Sequence, residues 1–463
     1  MNRTRHGVRP ELGDPLSRRE VLRVGGLVGC GLTLDSLLQV QAAAGASTTG
    51  SFGKAKHVIM LFLHGGHPQQ ETFDPKPHGP SDLRGEFGAI STSVPGVQFS
   101  ELLPRCAGIM HKMAVIRSMS HDNPNHVQAS LPANTGHRHL PNTAAGDFPP
   151  SEKDFPPFGA VLDTIGRRDV TLPTWVRIGP LMRRSNGTVL HGQLPGFLGK
   201  KHVSFPIDQS LLGEDVKIGA LQPTAGLSAA RLVDRKRLRD EFESFRRIID
   251  TQGETRAFDA SYTRALDLLS SEKTRLAFDL TKESRKTRER YGMTEFGQRC
   301  LLARRLAEAG VPMTNVSYCH TPSGSWDTHS QNFKKMKESL GPTLDAAVSA
   351  LIEDLDERGR LDDTLVIVTA EFGRTPKINN NAGRDHWPNV YSIAVAGAGI
   401  RPGMIYGASD NAAAYPLHDP HDPSDFAATV YHLLGVPPQT RVYDLNHRPH
   451  HLVVGKPISG ILT

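Results

Sequence analysis

The chain has 463 residues, 38% hydrophobic and 22% charged, long enough for a large buried core and too mixed for a disordered or fibrous protein. The formal charge of +6 does not imply a nucleic-acid partner, because Lys and Arg alternate with Glu and Asp along the middle of the chain, as on a solvated helix face. Cys106, Cys300 and Cys319 match no zinc-motif spacing, whereas 21 histidines raise the expectation of a metal site without placing it.

The amino terminus reads as an address. Ser17-Arg18-Arg19-Glu20-Val21-Leu22 has the twin-arginine pattern, an apolar Gly-rich run follows from Val24 to Leu38, and Ala42-Ala43-Ala44-Gly45-Ala46 offers a cleavage site. The expectation is a signal peptide over residues 1–46, with the twin-arginine translocase as export partner and a periplasmic or extracellular destination. A competing reading uses Leu27-Val28-Gly29-Cys30 as a lipoprotein box, which would anchor the chain through a lipidated Cys30. Residues 47–463 then form one α/β domain.

Along that domain, strands alternate with helices, and polar clusters follow the strands. Lys56 to Leu63 is a buried strand stopped by Gly65-Gly66, with Glu71 and Asp74 in the loop beyond. Leu102 to Met110 is helical, and Met113 to Arg117 is the second strand. The next loop holds His121, Asp122, His126, His137 and His139, and His126 opens a helix. Ser118, Ser120 and Thr135 are hydroxyls with either a nucleophilic or a capping role. Ser151 to Gly166 predicts a helix and Pro173 to Ile178 a strand. From about 179 to 295 the chain is an insertion, irregular to Leu227 and then helical with alternating charges.

Phe296 to Ala309 predicts a helix ended by Gly310, and Val311 to Tyr318 a strand. After it come Asp327 and His329. A helix with Leu344, Val348, Leu351 and Leu355 on one face follows. Leu365 to Thr369 is a fully buried strand that turns polar at Glu371. Arg374, then Arg384-Asp385-His386-Trp387, lie just beyond. Tyr391 to Ala396 is the last main strand, and Pro423 to Leu434 a helix capped by Ser424 or Asp425. Carboxylates and imidazoles at strand ends are where open α/β sheets hold ligands, and these donors suit zinc, manganese, iron or calcium.

Four stretches, HGGHPQQETFDPKP, SWDTHSQNF, TAEFGRTP and GRDHWP, together resemble the family known as domain of unknown function 1501. The resemblance spans nearly the whole mature chain. Members are typically secreted bacterial proteins, abundant in planctomycete-like organisms, and the family is similar to the alkaline-phosphatase and sulfatase superfamily. This implies a three-layer α/β/α sandwich with a mostly parallel sheet and metal-assisted hydrolase ancestry. Carried over, the superfamily's acidic ligand after its first strand is matched by Glu71 or Asp74. Its Asp-His pair before a long helix is matched by Asp327 and His329, and its last metal-binding His by His386, with Asp385 alongside. Glu371 matches a further acidic position, but its partner position holds Phe372. The Cys-x-Pro-x-Arg sulfatase signature is absent.

The functional expectation is a secreted metal-dependent hydrolase of phosphate or sulfate esters, acting on an anionic ester or a sulfated or phosphorylated glycan. Asp327, His329, Glu371, Asp385, His386 and Glu71 are the candidate ligands. Arg374 or Arg384 would hold the anion as a guanidinium fork, and His126 would donate a proton to the leaving group. The alternative is a non-catalytic secreted binding module that keeps the fold with a degenerate metal site.

Overall fold

A computed structural model describes residues 50–139, 146–166, 172–213, 216, 218, 272–319 and 325–463. Arg18, Arg19 and Cys30, on which the export reading rests, lie outside the described residues, as does most of the expected helical insertion.

The main elements follow in chain order: β1 (His57–Phe62), α1 (Pro104–Gly108), β2 (Met113–Met119), α2 (His126–Thr135), α3 (Phe158–Thr164), β3 (Trp175–Ile178) and β4 (Phe205–Ile207). Then come α4 (Glu295–Ala309), β5 (Met313–Ser317), α5 (Gly341–Glu357), β6 (Thr364–Thr369), β7 (Tyr391–Ala396), β8 (Met404–Tyr406) and α6 (Pro423–Leu433). The strands form one sheet in the order β8-β2-β7-β6-β1-β5-β3-β4. Its pairings are parallel except the two that β7 makes with β2 and β6, so β7 alone is reversed.

Strand β1 shows why the sheet has two covered faces. All six of its residues are buried, and alternate side chains point to opposite sides. Ile59 and Leu61 join one core with Leu302 of α4 and with Leu344, Val348 and Leu351 of α5. Val58, Met60 and Phe62 join the other, with Val161 of α3 and Val430 of α6. Each fully buried aliphatic side chain contributes roughly 1.5–3 kcal/mol. The result is a three-layer α/β/α sandwich.

Most elements fall where the sequence places them, and the exceptions have causes. Strand β4 lies inside the stretch expected to be irregular; Pro206 disguises it, and is tolerated because β4 is an edge strand. Strand β8 follows the expected last strand and is a three-residue, half-buried edge. The stretch before Phe158 is not helical. Asp422, rather than Ser424 or Asp425, caps α6 by accepting the Ser424 N–H at 2.7 Å. The charged run entering α4 is not wholly a solvated face. Arg304 is fully buried, 2.8 Å from Glu283, 2.9 Å from Asp354 and 2.7 Å from Glu308, and ties α4 to α5.

Candidate metal centre

The register of the parallel strands assembles the site. Phe62 of β1 lies opposite Thr369 of β6 and Ser317 of β5. Two residues further on, at the carboxyl edge, His64, Glu371 and Cys319 therefore arrive together. His64 Nδ1 is 3.4 Å from Cys319 Sγ, and the Gly65 N–H donates to Glu371 Oε1 at 2.9 Å. Gly65 has φ +113°, and a Cβ there would lie 2.2 Å from the Asp327 nitrogen. Only glycine lets the Trp326-Asp327 backbone press this close to the end of β1.

Three imidazoles then converge on one carboxylate oxygen. Asp327 Oδ1 is 3.2 Å from His126 Nε2, 3.0 Å from His329 Nε2 and 3.1 Å from His386 Nε2, and the last two nitrogens are 2.9 Å apart. His126 is the first residue of α2, with Asn125 as its N-cap, accepting from Gln128 N–H. His386 sits on a short ribbon in which it pairs antiparallel with Arg374.

The far side of each ring decides what the near side offers. His386 Nδ1 lies 2.7 Å from the Pro124 carbonyl, which can only accept, so that nitrogen carries the proton. His329 Nδ1 donates to Asp385 Oδ1 at 2.6 Å, and His126 Nδ1 donates to Glu371 Oε1 at 2.5 Å. In their neutral tautomers all three rings thus turn an Nε2 lone pair toward the already anionic Asp327. His126 Nε2 makes no hydrogen bond. Two carboxylate–histidine pairs and one carbonyl–histidine pair are the outer-shell arrangement that orients imidazoles on metals.

Electrostatics agree. Burial works against a charged Asp327, yet the close approach of His126, His329 and His386 and the Arg374 charge hold its carboxyl far below the usual range. Glu371 is fully buried, and that burial is outweighed by its hydrogen bond with His126, so its pKa is lowered. Burial pushes His386 and His64 down to about 4. His329 goes the other way: its pKa is raised, chiefly because a protonated Nε2 would donate to Asp327.

The donor set fits a transition metal. Donors on a tetrahedral ion at zinc distances stand about 3.3 Å apart, and the contacts on Asp327 Oδ1 lie within a few tenths of that. His126, Asp327 and His386 form one metal-competent group, and His64, His126 and Glu371, fully buried, a second that shares His126. In the second, His64 Nε2 and Glu371 Oε2 have no hydrogen-bond partner. Three imidazoles favour zinc, manganese or iron. Calcium, which takes about six to eight oxygens, does not match.

Several of the expected site residues lie elsewhere than the sequence suggests. Glu71 is in neither group; it lies against Arg384, whose Nη2 is 2.6 Å from Glu71 Oε1 and whose Nε is 3.0 Å from Oε2. Arg384 is not open to an anion, because its remaining N–H groups go to the carbonyls of Thr375, Pro376 and Leu83. Arg374 is also fully buried, and its guanidinium ties Asp327 (2.6 Å) to the carbonyls of Gly66, Trp326 and Arg384. Its contacts are all within the protein, with the Asp327 carboxylate braced among backbone carbonyls. Asp385 stands behind His329 instead of among the inner donors. His126, expected as a proton donor, is at the centre of both groups. Phe372 packs its ring 4.8 Å from that of His126 and 4.6 Å from that of His386. An imidazole does reach Glu371, from His126 of α2.

Other candidates point elsewhere. Asp74 is held by Lys76 at 3.0 Å. The Ser118 and Thr135 hydroxyls donate to the Asp419 and Leu131 carbonyls. His121 donates to the Glu371 carbonyl at 2.7 Å, and His137 to that of Leu452 at 2.8 Å. His64 is legible in the sequence only as the residue before two glycines; its neighbours follow from strand order, which no local signal reveals.

Among solved structures, the chain is similar to a phosphonate monoester hydrolase from Silicibacter pomeroyi, at 10% identity and TM-score 0.39, over 88% of this chain and 76% of that one. It is similar to the lipoteichoic acid synthase LtaP from Listeria monocytogenes, at 9% identity and TM-score 0.37, over 86% and 78%. It is also similar to the PsFucS1 sulfatase from Pseudoalteromonas sp., at 16% identity and TM-score 0.37, over 83% and 68%. Likenesses at this level say nothing of chemistry. No curated protein matches the chain. The sequence model of the family described as protein of unknown function (DUF1501) matches residues 55–462, nearly all of the domain whose strand ends build this centre, and the chain belongs to that family.

Proposed function

We propose that the protein is a metal-dependent hydrolase of phosphate or sulfate esters, exported by the twin-arginine route that Arg18 and Arg19 encode. The observation that carries this reading is the meeting of three imidazole nitrogens on Asp327 Oδ1, each ring fixed from behind by a carboxylate or carbonyl. Asp327, His126, His329 and His386 would hold one divalent ion, which when bound supplies Lewis-acid polarisation of an ester oxygen and lowers the pKa of a water.

The chain's own residues supply the rest. Arg374 holds the Asp327 carboxylate in place, Glu371 and Asp385 hold the Nδ1 protons of His126 and His329, and Phe372 walls the centre on its apolar side. His126 is buried, while His329 and Asp385 are half exposed, so an ester reaches the centre from the His329 side. A degenerate, non-catalytic binding module is the second reading, favoured by Phe372 standing where the superfamily resemblance calls for an imidazole.

The test is metal analysis of the purified chain, with turnover of a panel of aryl phosphates and sulfates. Near one zinc, manganese or iron per chain is expected, lost in His126→Ala and His386→Ala, with turnover lost alongside. Metal without turnover on any ester would leave the binding module. Unchanged metal content in both variants would remove the site assignment.

A further inference from the structure

Beside the metal centre lies an open cleft of about 640 Å³ that the chemistry above does not use. Its volume is in the range of small-molecule sites, about 300–1,000 Å³. Asp385 belongs to both places: it accepts the hydrogen bond from His329 Nδ1 and also lines the cleft. Anything seated in the cleft is therefore one residue away from the imidazoles.

The lining has a definite chemistry. Trp387 and Tyr415 form the aromatic wall, with ring centroids 5.7 Å apart and edge-to-face. The indole cannot swing, since Trp387 Nε1 donates to the Ala414 carbonyl at 2.5 Å, and Trp387 follows His386 on the same short ribbon. Tyr415 is 53% exposed, a large aromatic ring turned toward solvent. Lys377 and Asn380 are exposed and line the same cleft. Among the described residues, the Lys377 ammonium has no ion-pair partner.

This combination selects among ligand classes. An aromatic face, electron-rich at its centre, attracts the polarised C–H groups on one face of a pyranose ring. Asn380 and the Tyr415 hydroxyl offer both donors and acceptors to ring hydroxyls. One lysine, rather than a basic stripe, suits a single sulfate or phosphate and not a nucleic-acid backbone. The cleft stands open to water, which would leave an acyl chain partly exposed.

We infer that the Trp387–Tyr415 cleft is a saccharide subsite, which seats a sugar ring of a sulfated or phosphorylated glycan next to the metal centre. The inference rests on the hydrolase reading and names its substrate class. Lys377 pairs with an anionic substituent on the seated ring, and Tyr415 stacks on its apolar face.

The experiment is isothermal titration of the full chain with sulfated carrageenan- and chondroitin-type oligosaccharides, their desulfated forms, mannose 6-phosphate, a mononucleotide and anionic lipid vesicles. Expected is binding of at least one sulfated or phosphorylated saccharide, weakened tenfold or more in Tyr415→Ala. Lys377→Gln should reduce the preference for the sulfated over the desulfated form at least threefold. Tyr443→Ala, an exposed aromatic outside the cleft, is the control and should bind as wild type.

The inference is overturned if no saccharide binds, if only the nucleotide or vesicles bind, or if both Tyr415→Ala and Lys377→Gln bind like wild type. These outcomes are separate from those for the hydrolase: ester turnover without saccharide binding sinks the subsite alone. Saccharide binding lost in Tyr415→Ala, without turnover on any ester, sinks the hydrolase alone.

Discussion

Arg384 and His386 stand two residues apart, yet the groups they belong to treat charge in opposite ways. Arg384 meets Glu71 in a closed pair. Its N–H groups go to the Glu71 carboxylate and to the carbonyls of Thr375, Pro376 and Leu83, while Glu71 Oε2 also accepts from Asn332. Donors and acceptors match, and nothing is left to bind. Around Asp327 the match fails: acceptors outnumber protons, because each ring's proton is held on the far side. Each group sets a carboxylate against a buried arginine, Glu71 against Arg384 and Asp327 against Arg374. The proton count is what separates a structural tie from a site.

The comparison can be broken most directly at Glu71. Glu71→Ala leaves the buried Arg384 charge uncompensated and should remove about 3–5 kcal/mol of stability, measured by urea unfolding. Metal content of the folded fraction should stay as in wild type; a loss of metal would mean the pair is not separate from the centre.

Asp327→Asn attacks the other group. Metal affinity should fall by more than about 100-fold, beyond the range typical of outer-shell changes, as read by competition with a chelating dye. Stability of the metal-free protein should fall less than in Glu71→Ala, because relief of the three converging lone pairs offsets part of the lost Asp327 charge beside the buried Arg374. A variant that unfolds while its metal affinity stays intact would reverse the assignments.

A smaller effect is expected one shell out. Asp385→Asn weakens the hold on the His329 proton and should lower metal affinity about 10–100-fold, with unchanged ligand count by X-ray absorption. No change would show that His329 is oriented by Asn379 and its own backbone instead.

The mildest test is pH on the metal-free protein. Burial lowers His64, His67 and His386 to about 4 in the fold, against an ordinary value near 6.5. Between those values the unfolded chain binds more protons than the folded one, so stability rises with pH across that window. The urea midpoint should therefore be lower at pH 5 than at pH 7. A flat profile would indicate that these rings are protonated in the fold.

How much of this is legible in the chain can be argued residue by residue. Strands β1, β6 and β7 are plain as continuous apolar runs, and α5 as a stripe of leucines and a valine ended at Gly359. Asp327, His329 and His386 stand out as polar residues where strands or loops return to the sheet edge. Arg304 is hidden, because a charge at helical spacing looks the same whether it faces water or three acids. Glu71 and Arg384 mislead because a sequence shows residue types but not whose hydrogen atoms satisfy them.

Apolar periodicity by itself determined the alternation of strands and helices, and with it the layered architecture, because burying an apolar face is a local requirement repeated along the chain. Which imidazole meets which carboxylate was decided only in three dimensions. His64 and Glu371 are brought side by side by the pairing of β1 with β6, and His126 reaches Asp327 from the start of α2. Strand neighbours and tautomers depend on contacts between residues hundreds of positions apart, and no local pattern in the chain records them.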